Sequence, residues 1–303
     1  MNAAQGAAVI LRARFEEMSA MREAALDLSD IEGVHDMRVA MRRLRNALRD
    51  LRPIMRKKPF RKFNKELKNL YDVVGAVRDE DVAIASLEKM RAETDSEIVR
   101  QGINNVLADH QKTRDAAREK LAKEFADGHF SKLEKELAAL IEGDAGFKES
   151  KREKTLEEIG TKAVDSIIKR FCKLSDNLYT AYDFEALHRF RIASKRLRTA
   201  LELFSGCWGA QIDPFIEQVA KMQLLLGRVH DRDGWLTDLT SRLSSNNKKV
   251  LIVDGLAAKW ISNRLVKKRN KNYGVALQLW KEWEDEGLID KLRAAVSGET
   301  EKL

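Results

Sequence analysis

"HDMRVAMRRLRNALR" runs from His35 to Arg49, and "HRFRIASKRLRTALE" runs from His188 to Glu202. The two stretches match at His35/His188, Arg38/Arg191, Ala40/Ala193, Arg43/Arg196, Leu44/Leu197, Arg45/Arg198 and Leu48/Leu201, with Arg42 answered by Lys195. Basic residues recur every three or four positions, which is helical spacing. At about 100° per residue, His35, Arg38, Arg42, Arg45, Arg49 and Arg52 fall in one sector about 100° wide, with Ala40, Leu44, Ala47, Leu48 and Leu51 opposite. In the second stretch His188, Arg191, Lys195 and Arg198 form the stripe, and Ala193, Leu197, Ala200 and Leu201 lie behind it. Each helix thus has a back suited to a core and a cationic front. Like charges at such spacing destabilise an isolated helix, so the row calls for a reason other than folding.

The repetition extends beyond these helices. "GAVRDED" from Gly75 is echoed by "GRVHDRD" from Gly227, and "DGHFSKL" from Asp127 more weakly by "EGLIDKL" from Glu286. Three echoes in the same order, half a chain apart, indicate an internal duplication. The boundary falls in the polar stretch "EGDAGFKESKREK", residues 142–154, dividing 1–148 from 149–303.

Helical periodicity runs through 5–27, 34–52, 59–75, 80–92, 95–126 and 130–141, then 155–181, 185–205, 212–227, 232–244, 249–284 and 288–296. No alternating pattern of useful length marks a strand. The chain of 303 residues has only 3 prolines, and its Ala, Leu, Glu, Lys and Arg content favours helix. Long helices joined by short polar turns pack as antiparallel bundles, so the expectation is all-α, with two similar helical bundles. Gly75 and Gly227 read as helix ends, and Asp79, Asp81, Asp231 and Asp233 as caps of the helices that follow. A second role for these aspartates is to hold arginine side chains.

Charge narrows the function. Over 34–52 six arginines face Asp36 and Asp50, a net of +4; over 187–205 five basic residues face Glu202, also +4. The whole chain carries +8, so everything outside these windows is neutral. Solvated helix faces interleave acids with bases, whereas these stripes are mostly arginine, the side chain suited to bidentate phosphate contact. The implied partner is a polyanion. Two cysteines, Cys172 and Cys207, form no disulfide framework and fit a reducing cytoplasm. The apolar run near the N-terminus is quickly broken by Arg12 and Arg14 and reads as neither signal peptide nor membrane span.

The pattern H-x-x-R-[VI]-A-x-[RK]-R-L-R, the later G-x-V-[RH]-D-x-D and the tandem duplication resemble the CHAD family, the conserved-histidine α-helical domain. The resemblance covers nearly the whole chain. It implies two four-helix bundles related by pseudo-twofold symmetry, a basic channel between them, binding of inorganic polyphosphate, and location at polyphosphate granules. It also implies a stand-alone binder, since no strand-rich triphosphate tunnel domain accompanies it. Two positions depart between the repeats: Arg78 becomes His230, and Arg49 becomes Glu202.

The residues assigned to polyphosphate are His35, Arg38, Arg42, Arg45 and Arg49 in the first repeat, and His188, Arg191, Lys195 and Arg198 in the second. A wider set comprises Arg43, Arg52, Lys65, Lys68 and Arg78, with Arg196, Lys221, Arg228 and His230. Nucleic acid, bound through the RNA or DNA backbone, is the main rival ligand. Single-strand binders offer exposed aromatics, but no residue of the 34–52 stripe is aromatic and Phe190 and Phe204 lie off the second stripe, which leaves duplex binding by shape as the open alternative. His35-Asp36 and His230-Asp231 suggest a metal phosphohydrolase, yet they are not equivalent in the duplication, and a cationic stripe repels a divalent ion. No P-loop, glycine-rich phosphate turn or nucleophile elbow is present, so the expectation is a non-enzyme without cofactor or metal ion.

Overall fold

A computed structural model describes residues 2–27, 31–126, 128–141, 146–148, 154–244 and 252–298. Its α-helices are α1 Ala3–Ala20, α2 Arg22–Leu26, α3 Ile31–Asp50, α4 Lys57–Ala92, α5 Glu97–Ala126, α6 His129–Ile141, α7 Leu156–Lys173, α8 Phe184–Trp208, α9 Asp213–Ser244, α10 Ile252–Asp285 and α11 Leu288–Ser297. Extended pairing among the described residues is confined to the isolated bridges Asn2–Thr155 and Met55–Phe147. The all-helical expectation holds.

Several helix bounds differ from the periodicity reading, for physical reasons. The segments 59–75 and 80–92 are one helix of 36 residues, and 212–227 with 232–244 form one of 32. Gly75 and Gly227 sit inside these helices and do not adopt the left-handed conformation that ends one. A helix-interior glycine costs about 1 kcal/mol relative to alanine. The packed neighbours Val73, Val74 and Val77 in α4, and Leu226 and Val229 in α9, outweigh that. Asp79, Asp81, Asp231 and Asp233 are therefore not caps. The segment 155–181 ends earlier, at Lys173, and continues as a 3-10 turn over Ser175–Tyr179.

The chain divides into two compact units. One comprises Met1–Asp95 with Ile103–Leu156, the other Ser96–Gly102 with Glu157–Leu303. The first residues of α5 thus group with the second unit. Of the stretch 142–154 on which the repeat boundary was placed, 142–145 and 149–153 lie outside the described residues.

In the first unit α1 packs on α3, α3 on α4, α4 on α6, and α6 back on α1. Leu11, Phe15 and Met18 of α1 meet Met37, Met41, Leu44 and Leu48 of α3, with Phe63 and Leu67 of α4, in a core where every one of these is at most 5% exposed. Phe15 lies 5.9 Å from Phe130 of α6 and 6.5 Å from Phe63, ring centre to ring centre.

In the second unit α8 packs on α9 and α9 on α10. Phe171 of α7 stacks on Phe190 of α8 at 5.0 Å and meets Trp280 of α10 edge-on at 5.8 Å, closing the circuit. A Cβ at Gly160 would come within 2.8 Å of the Phe204 ring, so glycine lets α7 approach α8 closely. Asp183 caps α8 by accepting the Ala186 amide at 2.8 Å, and Gly209, at φ +72°, ends it.

Candidate functional site

The buried side of α3 is the expected one. Ala40, Leu44, Ala47, Leu48 and Leu51 are all at most 2% exposed, which orients the helix so that its cationic row lies half-exposed. The row does not hang freely in solvent. Arg38 Nη1 donates to Asp79 Oδ1 of α4 at 2.5 Å, and its guanidinium lies across Gly75, where an added Cβ would sit 3.6 Å away. Burial works against the Arg38 charge, but Asp79 and Tyr71 outweigh it and hold the guanidinium more firmly protonated than an ordinary arginine.

Arg45 stands over the ring of Tyr71 at 4.4 Å, and Arg38 faces the same ring at 5.6 Å. Arg52 lies over Phe60 at 4.6 Å and donates to the Met55 carbonyl at 3.1 Å. Arg49 turns inward: Nε and Nη2 grip both oxygens of Asp50, at 2.7 and 2.9 Å. Asp50 is 6% exposed, so this fork closes a buried carboxylate and withdraws Arg49 from the front of the row. Arg43 points the other way, to Glu17 of α1, which also accepts from Arg14 at 2.8 Å. Burial would raise the Glu17 pKa, but the two arginines outweigh it and hold its carboxyl below the ordinary range. His35 and Arg42 are half-buried on the row. On α4 Lys65 is exposed, Lys68 pairs with Asp72 at 3.5 Å in the open, and Arg78 is half-buried.

The second unit repeats the stripe with different neighbours. His188 of α8 and His230 of α9 come together, Nδ1 to Nδ1 at 3.3 Å, with ring centres 4.4 Å apart. Burial and then the charge of Arg191 lower both imidazole pKa values below the ordinary 6.5. Arg191, Lys195 and Arg196 are half-buried along the helix, and Arg198 donates through Nε to Glu202 at 2.7 Å. Glu202, which stands where the first repeat has Arg49, thus engages its own stripe. Lys221 and Arg228 are exposed on α9.

Three of the four aspartates read as caps, Asp79, Asp81 and Asp233, face arginines instead, the second role proposed for them. Asp79 holds Arg38. Asp81 lies 3.8 Å from Arg118 of α5, and its counterpart Asp233 accepts from Arg269 of α10 at 2.6 Å. Burial raises the Asp81 pKa, against the opposing charges of Arg118, Arg114 and Arg78. Arg269 also donates to the Ala181 carbonyl at 2.6 Å, tying down the segment that leads into α8.

Sequence reasoning missed Tyr71, Arg118 and Arg269. A signal for Tyr71 existed: Tyr71, Gly75 and Asp79 are four apart, one row along α4. The arginines were readable only as a further echo, each placed at a similar interval after its aspartate. Among the described residues no group of three or more His, Cys, Asp or Glu is arranged to hold a metal ion. Burial raises the pKa of both Cys172 and Cys207 above the ordinary thiol value, so neither is an activated nucleophile.

No curated protein matches the chain. The chain is similar to the crystal structure of the CHAD domain from the plant Ricinus communis, with TM-score 0.68, 22% identity, and coverage of 98% of this chain and 92% of the other. It is also similar to PptA from Streptomyces chartreusis, with TM-score 0.70, 13% identity, and coverage of 93% and 100%. At these identities the likeness is one of fold. The family model for the CHAD domain matches residues 9–240, well over half the chain. An all-helical chain with this match, and with duplicated histidine-headed basic helices, belongs to the CHAD domain family.

Proposed function

We propose that this protein binds inorganic polyphosphate along the cationic fronts of α3 and α8, in the cytoplasm or at polyphosphate granules, and does not catalyse a reaction. In this reading residues 1–148 and 149–303 form two pseudo-twofold-related four-helix bundles, and the stripes together line one basic channel. The observation that carries it is the duplication of a stripe made mostly of arginine on a helix whose back is buried, in a chain otherwise neutral. Polyphosphate is a flexible, base-free polyanion, and a linear row of guanidinium groups suits it by charge and shape. Family membership supports the same ligand. No described helix is long and apolar enough to cross a membrane.

A second reading, single-stranded nucleic acid, draws on aromatic groups near the stripes. Tyr71 and Phe60 lie against arginines of the first, and Tyr182 and Phe184, 82% and 49% exposed, precede the second. A binding comparison at fixed salt separates the two, using long-chain polyphosphate, triphosphate, single-stranded DNA and RNA. The proposal expects long polyphosphate to bind tightest. Tighter binding of RNA or DNA overturns it, and release of orthophosphate from the bound polymer overturns the non-catalytic assignment.

A further inference from the structure

Tyr71, Gly75 and Asp79 form a bed beneath Arg38. The guanidinium meets the ring at 5.6 Å, lies over the bare backbone of Gly75 and donates to Asp79 at 2.5 Å. The same ring carries Arg45 at 4.4 Å. Arg38 and Arg45 are seven residues apart, two helical turns, so a single aromatic side chain of α4 is shared by two members of the α3 row. Among the described residues Arg45 has no carboxylate partner, and the Tyr71 ring is its restraint. The second repeat lacks this arrangement. Gln223 stands at the matching place, counted from Gly227 as Tyr71 is from Gly75. A Cβ at Gly227 would meet nothing within 4 Å, so no guanidinium lies on it.

We infer that Tyr71 is a positioning residue: its ring holds the Arg38 and Arg45 guanidinium groups at a fixed separation before any ligand arrives. The inference takes its ligand from the polyphosphate reading above, and its geometry from α3 and α4 alone. A long arginine side chain loses rotamer freedom when it grips a phosphate, and a ring that has already ordered it lowers that cost. The ring does so without a competing negative charge. Asp79, 69% exposed, restrains Arg38 in a surface pair that an incoming phosphate can outbid. Tyr71 is therefore the residue that restrains two members of the first-unit stripe at once.

The test uses the full chain with Tyr71→Leu, which keeps apolar bulk but has no π face, and Tyr71→Phe, which keeps the ring. Nitrogen-15 relaxation of the arginine Nε–Hε groups is measured without ligand, and affinity for long-chain polyphosphate is measured across a salt series. We expect Tyr71→Leu to mobilise both Arg38 and Arg45 and to weaken binding about tenfold. The salt slope should stay unchanged, because no charge is removed. Tyr71→Phe, which keeps the ring but loses the hydroxyl that also bears on Arg38, should restore the order of Arg45 and most of the affinity. Guanidinium groups as ordered in Tyr71→Leu as in the wild type, or Tyr71→Phe as damaging as Tyr71→Leu, would overturn the inference. If Tyr71→Leu lowers the melting midpoint, Tyr71→Gln, the residue of the second repeat, is read in its place. Failure of the wild-type protein to bind polyphosphate removes the ligand reading, and the relaxation comparison then decides the positioning role by itself.

Discussion

His188 and His230 face each other across α8 and α9 with their Nδ1 atoms 3.3 Å apart, and Arg191 bears on both. The pair is half-buried, and its neutral form is favoured by burial first and by Arg191 second. Asp231 and Asp233 oppose this at His230 without reversing it. In the first repeat the place of His230 is taken by Arg78.

If the chain binds polyphosphate as proposed, this pair should make binding pH-dependent. Protonation adds positive charge to the α8 stripe, and a bound polyanion favours the protonated form. Affinity for long polyphosphate should therefore rise as pH falls from about 8 to about 5.5. Calorimetry in buffers of different ionisation enthalpy should show proton uptake on binding. A double His188→Gln, His230→Gln variant should lose most of the rise; an unchanged pH profile in it would refute the assignment.

The same pair acts oppositely on stability. Both folded-state pKa values lie below the unfolded value of 6.5, so below that pH the unfolded chain binds more protons. The pair's contribution to stability is present above the unfolded pKa and is progressively lost as pH falls from it through the lowered folded values. Thermal midpoints of wild type and the double glutamine variant should converge or cross on going down through that window. Parallel curves would exclude the linkage.

Salt dependence tests the electrostatic origin of affinity. Binding should fall steeply with salt in the wild type, and Arg42→Glu with Arg45→Glu should reduce the logarithmic slope by about two. Lys195→Glu with Arg198→Glu should do the same. A flat response in the wild type would show that the stripes are not the contact surface.

One ligand across both repeats has a stoichiometric signature. If both repeats act on a single polymer segment, as proposed, Arg38→Glu and Arg191→Glu, made singly, should each weaken one binding event per chain. If the repeats bind independently, each change should instead remove one class of site and leave the other intact. Titration calorimetry with a short defined polymer distinguishes the two patterns.

The Asp233–Arg269 pair is a stability element. The side chains are 8% and 4% exposed, so removing one partner leaves a buried charge. Asp233→Ala should cost about 3 kcal/mol in denaturant unfolding. The double change Asp233→Leu, Arg269→Met should recover a good part of that. A loss below about 1 kcal/mol for Asp233→Ala would mean that water reaches the guanidinium.

What the sequence revealed was periodic and local. The apolar back of α3 is written in the spacing of Leu44, Leu48 and Leu51, and the structure buries each of them. The partners of the front were not legible, because a contact such as Arg38 to Asp79 joins positions 41 residues apart on different helices. On a helical wheel Arg43 lies about 100° round from Arg42, off the stripe that Arg42 and Arg45 share, but the wheel does not show that α1 gives Arg43 a carboxylate and α4 gives Arg45 a ring. Gly75 was misread for a related reason. Its local propensity signals an end, but its absent side chain makes room for a guanidinium that arrives from α3.

All five tryptophans belong to the second unit, where Trp280 and Trp283 pack against Phe171. The first repeat holds a single tyrosine, Tyr71. Red-edge excitation of emission therefore watches one half of the molecule while the other stays dark. Denaturation followed by indole fluorescence traces the α7–α11 unit, and far-ultraviolet dichroism traces both. Any lag between the two curves is the melting of the silent half, seen without a label.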